Sequence, residues 1–96
     1  MKINNINWKV EYAPLDCAFG ETDFVLSAIR IEQNINKDLL EPTLMHEITH
    51  AYLFSYGFNT QKEFPLEQVC DIIGHNFKEF TRLKKIALKE LKEKNK

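Results

Sequence analysis

No stretch of this chain approaches the roughly 18 consecutive apolar residues of a membrane-spanning helix, so no membrane partner is expected. An excess of charge is also missing. With 13 basic and 14 acidic side chains the net charge is −1. No strong field therefore draws the protein to nucleic acid or an anionic membrane. The opening residues, MKINNINWKVEY, lack the apolar core of a secretory leader. Cysteines are few: Cys17 and Cys70 stand far apart and form no CxxC pair. They read as free, buried thiols in a reducing cytoplasm rather than as a disulfide. Glycine and proline are scarce, three of each, and no repeat, low-complexity tract or linker divides the 96 residues. One domain spanning residues 1–96, with one modest core, is expected.

The apolar pattern changes period along the chain. INWKVEY (residues 6–12) alternates, with Trp8, Val10 and Tyr12 on one face, until Pro14 ends the run. FGETD carries a turn at Gly20, and in SAIRIEQN the apolar Ile29 and Ile31 alternate with Arg30 and Glu32. Two or three antiparallel strands in the N-terminal third are expected. From about Asp38 the period becomes helical, with Pro42 early enough to be tolerated and Gly57 a natural stop. FNTQKEF then reads as a connector, and Pro65 begins a second helix. Leu66, Val69, Ile73, Phe77 and Phe80 share one face, and Ala87, Leu88 and Leu91 extend it to about residue 93. A break between Lys78 and Arg82 also fits. The last fifteen residues, RLKKIALKELKEKNK, are locally basic, but interleaved glutamates make them a solvated helix face. The plan is α+β: a small antiparallel sheet followed by two main helices.

The chemistry sits in TLMHEITHAYLF (residues 43–54), which contains HExxH as HEITH. Residues four apart on a helix differ by about 40°, so His46 and His50 lie one turn above the other and can reach one ion. Neutral imidazole is a common zinc ligand. Glu47 lies about 100° round from His46. There it sits beside the metal, placed to take a proton from a zinc-bound water. On the opposite side Leu44, Ile48 and Ala51 form a core-facing stripe, and Tyr52 points the same way. Tyr56, at the helix end, can reach the rim.

A catalytic zinc keeps three protein ligands and one open position. In PLEQVCDIIGHNF, Glu67, Asp71 and His75 share one side of the second helix. Glu67 is the chosen third ligand, with Asp71 accepting the second ring N–H of a metal-bound histidine. Gly74, costly inside a helix, suggests close approach of two helices on that stripe. His75 is open to three roles: a ligand in place of Glu67, a hydrogen-bond donor to a transition-state oxyanion, or an exposed rim residue.

With HEITH followed by EQVCD, the chain resembles the gluzincin-type zinc peptidases, and within them the ImmA/IrrE family and its short phage-type relatives. The likeness runs over residues 19–80, from FGETDFVLSAIRIEQNI through TLMHEITHAY to EQVCDIIGHNF. It implies a minimal zincin-like domain in which His46, His50 and Glu67 bind zinc and Glu47 is the general base, with Asp71 in support. It also implies that an extended peptide lies along a sheet edge at residues 29–32, and that the substrate is a protein partner such as a regulator, cut by limited proteolysis. The chain departs from the family in having Cys70 where alanine is usual, and in its shortness.

The expected activity is zinc-dependent peptide hydrolysis. Two other readings stay open. One is a zinc-binding regulatory or interaction domain of a mobile element, without peptidase turnover, its metal closed by His75 as a fourth ligand. The other is a metal-free fold in which HEITH is a polar helix face, indifferent to chelator.

Overall fold

The computed structural model describes residues 1–58 and 66–94; most of the connector expected after Phe58, with Pro65, lies outside them. The class is α+β. Two short strands, β1 (Lys2–Ile3) and β2 (Ile6–Asn7), form an antiparallel hairpin. Its turn residues Asn4 and Asn5 both have positive φ, 45° and 67°, the backbone that a tight two-residue hairpin demands and that asparagine tolerates. Trp8 then leaves the sheet pattern and is buried, so the expected run over residues 6–12 is split in two.

A second sheet comprises β3 (Lys9–Ala13), β4 (Gly20–Asp23) and β5 (Ala28–Glu32) in the order β3-β5-β4. The β4–β5 hairpin is antiparallel, as expected, but β3 pairs parallel to β5. Residues 14–19 carry the chain past the β5 position, so β4 forms the outer strand and β5 returns into the middle. Residues 29–32 are therefore central, and β3 and β4 are the two sheet edges. Gly20 opens β4 rather than making a turn. The turn falls at residues 24–27, where Asp23 Oδ1 accepts the N–H groups of Val25 (3.0 Å) and Leu26 (2.9 Å).

Alternation gives the sheet two faces. Val10, Ile29 and Ile31 are fully buried. On the other face Arg30 bridges Glu21 (3.0 Å), Asp23 (3.3 Å) and Glu11 (3.6 Å). The buried face is covered by α1 (Lys37–Ser55) and α3 (Phe77–Lys94). Asn36 caps α1, its side chain accepting the Asp38 N–H. Pro42 lies in the second turn, where it cannot donate to the Asp38 carbonyl. The helix ends as its glycine foretells: Gly57 has φ +85°, with Gly57 N–H donating to Phe54 O and Phe58 N–H to Leu53 O.

The remaining helical region is two helices. α2 (Leu66–His75) is followed by Asn76, whose side chain donates to Ile72 O at 2.8 Å, and then by α3. The break lies just before the expected window and resets the helical phase. The core stripe of α3 becomes Phe80, Leu83, Ala87 and Leu91, while Phe77 is 66% exposed instead of buried. Leu44, Ile48 and Ala51 of α1 meet this stripe and the sheet in one core, as their spacing predicts. Cys17 and Cys70 are free, but both are exposed, on the β3–β4 loop and on α2. No described helix is long and apolar enough to cross a membrane.

Candidate metal centre

The motif stands at the middle of α1, on the side that faces β4. Burial of Leu44, Ile48 and Ala51 fixes the helix rotation, and that rotation turns the histidines outward. His46 Nε2 and His50 Nε2 lie 3.2 Å apart, with ring centroids at 4.8 Å. Two nitrogens bound tetrahedrally to one zinc, with bonds of about 2.0–2.1 Å, are separated by about 3.3 Å. The pair therefore fits the first two positions of a zinc shell. Without an ion the same distance makes one imidazole N–H a donor to the other ring.

Glu47 is buried beside the pair, with Oε2 at 4.0 Å from His46 Nε2. That is longer than the spacing within the pair and suits a carboxylate next to an ion better than one bound to it. Its other oxygen, Oε1, accepts a 2.8 Å hydrogen bond from Thr22 Oγ1 on β4. The same hydroxyl lies 3.2 Å from the Glu47 carbonyl oxygen. Gly20 makes room for this packing, since a Cβ there would stand 2.9 Å from Thr43 Cγ2 and 3.1 Å from Glu47 Cγ. A groove of about 350 Å³ runs past the carboxylate, lined by Phe19, Gly20, Pro42, Thr43, His46 and Glu47.

Thr22 and Gly20 were not candidates from sequence. Their only signal is that they are two apart in a strand and so share a face; nothing in the sequence says that this face meets Glu47. At the other end of the pair, Phe54 follows His50 by one helical turn and stacks on Phe24 at 4.8 Å.

Among the described residues, His46, Glu47 and His50 gather their ligand atoms within 4.8 Å of one another. The candidates on α2 are not in this group. Glu67, Asp71 and His75 are all exposed, while Ile72 and Ile73 on the other side of α2 pack against the core. Nor does Gly74 mark a close helix approach, since a Cβ there would meet nothing within 4 Å. Tyr52 is buried in the core and Tyr56 exposed, their rings in contact at 4.8 Å. Burial raises the Tyr52 phenol above its ordinary value, with neighbouring Tyr56 and Glu79 adding to the effect.

No family model, curated protein or solved structure significantly matches the chain.

Proposed function

We propose that the protein is a zinc-dependent metallopeptidase of the ImmA/IrrE type, acting on an extended segment of a partner protein. The observation that carries this reading is the 3.2 Å His46–His50 nitrogen pair beside a buried glutamate whose far oxygen is held by Thr22. His46 and His50 would hold the metal. The third ligand is proposed to come from α2, with Glu67 the first choice, Asp71 in support and His75 the substitute. Because Glu67 stands outside the gathered group, its recruitment would couple metal binding to the position of α2.

When bound, zinc supplies a Lewis acid and an activated water near neutral pH. Glu47 then has two duties, one for each oxygen. Oε1 stays on Thr22, which fixes the carboxylate plane. Oε2 faces the groove, takes the proton from the attacking water and passes it to the leaving amine. The substrate strand is proposed to add along β4, since β4 is the edge strand that borders α1. Backbone pairing there would bring a peptide bond past Glu47. A cytoplasmic setting is part of the proposal, because two exposed unpaired thiols suit a reducing compartment.

Metal content tests this reading, measured on protein purified without added metal for wild type, Glu47→Gln and Glu67→Ala. Near one zinc in wild type and Glu47→Gln, with little in Glu67→Ala, supports an open site with Glu67 as ligand. Cleavage of a quenched peptide library by wild type but not by Glu47→Gln would then establish turnover. Equal zinc in all three moves the third ligand to Asp71 or His75. Stoichiometric zinc without any cleavage favours a binding domain. Absence of zinc, with a fold unaffected by added metal, removes the metal altogether.

A further inference from the structure

A second cavity, of about 470 Å³, opens where β3, the first half of α1 and the last half of α3 converge. It shares no lining residue with the groove at Glu47. Its floor is apolar: Tyr12 from β3, Leu40 from α1, and Leu88 and Leu91 from α3. Its other described lining residues are the lysines Lys85, Lys89 and Lys92, with no carboxylate among the described residues that line it. At spacings of four and three, these lysines form one stripe on α3.

Lys84, one residue away, pairs with Glu41 across the same α1–α3 seam at 3.1 Å. Among the described residues no such ion pair is formed by Lys85, Lys89 or Lys92. Three lysines thus line one apolar hollow, and among the described residues none of them meets a carboxylate in an ion pair. Tyr12, Leu40 and Leu88, each half-buried, keep apolar surface open beside those charges. The volume falls within the roughly 300–1,000 Å³ usual for small-molecule sites, which favours a small ligand over a macromolecular face.

We propose that this cavity binds a dissolved single-chain anionic amphiphile, with one alkyl tail and a carboxylate or phosphate head. The tail lies on Tyr12, Leu40, Leu88 and Leu91, and the head sits among Lys85, Lys89 and Lys92. Each half of the site demands its half of the ligand. A neutral hydrocarbon leaves the lysines unused, and a bare anion leaves the floor wet. The proposal is independent of the metal chemistry at His46.

Titration calorimetry with dodecyl phosphate and with dodecanoate, each below its micelle-forming concentration, tests the proposal. One-to-one binding of at least one is expected. Dodecyl maltoside, with the same tail and a neutral head, and inorganic phosphate, with no tail, should each bind at least about tenfold more weakly. The combined variant Lys85→Gln, Lys89→Gln and Lys92→Gln should lose at least about tenfold in affinity. Leu88→Asp should lose binding independently, and amide shifts on titration should centre on Leu40 and Leu88. Absence of saturable binding overturns the proposal. So does equal affinity for the maltoside, or full affinity in the triple variant. Binding to phosphatidylglycerol vesicles without binding of the monomeric amphiphiles also overturns it, and makes the lysine stripe a membrane-surface patch.

Discussion

Thr22 and Glu47 are 25 residues apart and joined by a 2.8 Å hydrogen bond, from a hydroxyl on the outer strand to a carboxylate on the motif helix. The bond gives the buried Glu47 a partner and ties β4 to α1 beside the histidine pair. Thr22→Val keeps the side chain's shape and removes the donor. It should destabilise the fold by about 1–3 kcal/mol in urea unfolding, the usual cost of orphaning a buried polar group. Thr22→Ser should recover most of that loss. In an active peptidase the valine variant should lose kcat with little change in KM, because the bond orients Glu47 and does not touch substrate.

Two glycines should respond in opposite directions to the same change. At Gly20 an added Cβ meets Thr43 at 2.9 Å and Glu47 at 3.1 Å. Gly20→Ala should therefore cost about 1–3 kcal/mol as an overpacking change. At Gly74 the space is open. There alanine should gain up to about 1 kcal/mol from helix propensity. Thermal unfolding of the two variants beside wild type reads both signs.

Trp8, the sole tryptophan, donates its indole N–H to Ser55 Oγ at 2.9 Å within the core. Ser55→Ala leaves that N–H without its partner and should destabilise by about 1–3 kcal/mol. Trp8 fluorescence, followed through urea unfolding, should show an earlier midpoint with an unchanged slope.

Asp23 should contribute to acid sensitivity. The Leu26 N–H lowers its carboxyl below the ordinary 3.8; burial opposes this, and Arg30 and the Val25 N–H add to the lowering. A carboxyl held lower in the folded state stabilises above its ordinary value, and that contribution fades as pH falls through the lowered folded value. The stability gap between wild type and Asp23→Asn should thus be full at pH 6 and close as the pH falls below about 3.8. Denaturant midpoints over that range measure it.

Much of the architecture was legible in local pattern. Leu44, Ile48 and Ala51 named the buried face of α1, and with it the outward face of His46 and His50. Gly57 and the alternation through Ile29 and Ile31 likewise meant what they suggested. The helical stripe beyond Leu66 was read as one helix to about residue 93 or as one broken between Lys78 and Arg82, and the break falls earlier, at Asn76. The break moved Leu83 into the core and Phe77 out. A bonded asparagine side chain can end a helix that periodicity alone would extend.

What the sequence by itself determined is the chemistry of one helix face: residues four apart are neighbours whatever the rest of the chain does. That rule made a two-histidine pair and put a carboxylate beside it. Only tertiary structure could decide that β5 returns between β3 and β4, because alternation is the same in parallel and antiparallel pairs and in edge and central strands. That choice leaves β4 at the edge, sets Thr22 on Glu47 and requires glycine at position 20. Glu67, Asp71 and His75 are exposed on a helix whose Ile72 and Ile73 pack against the core, because the direction of a second helix is set by packing and not by its own polar stripe.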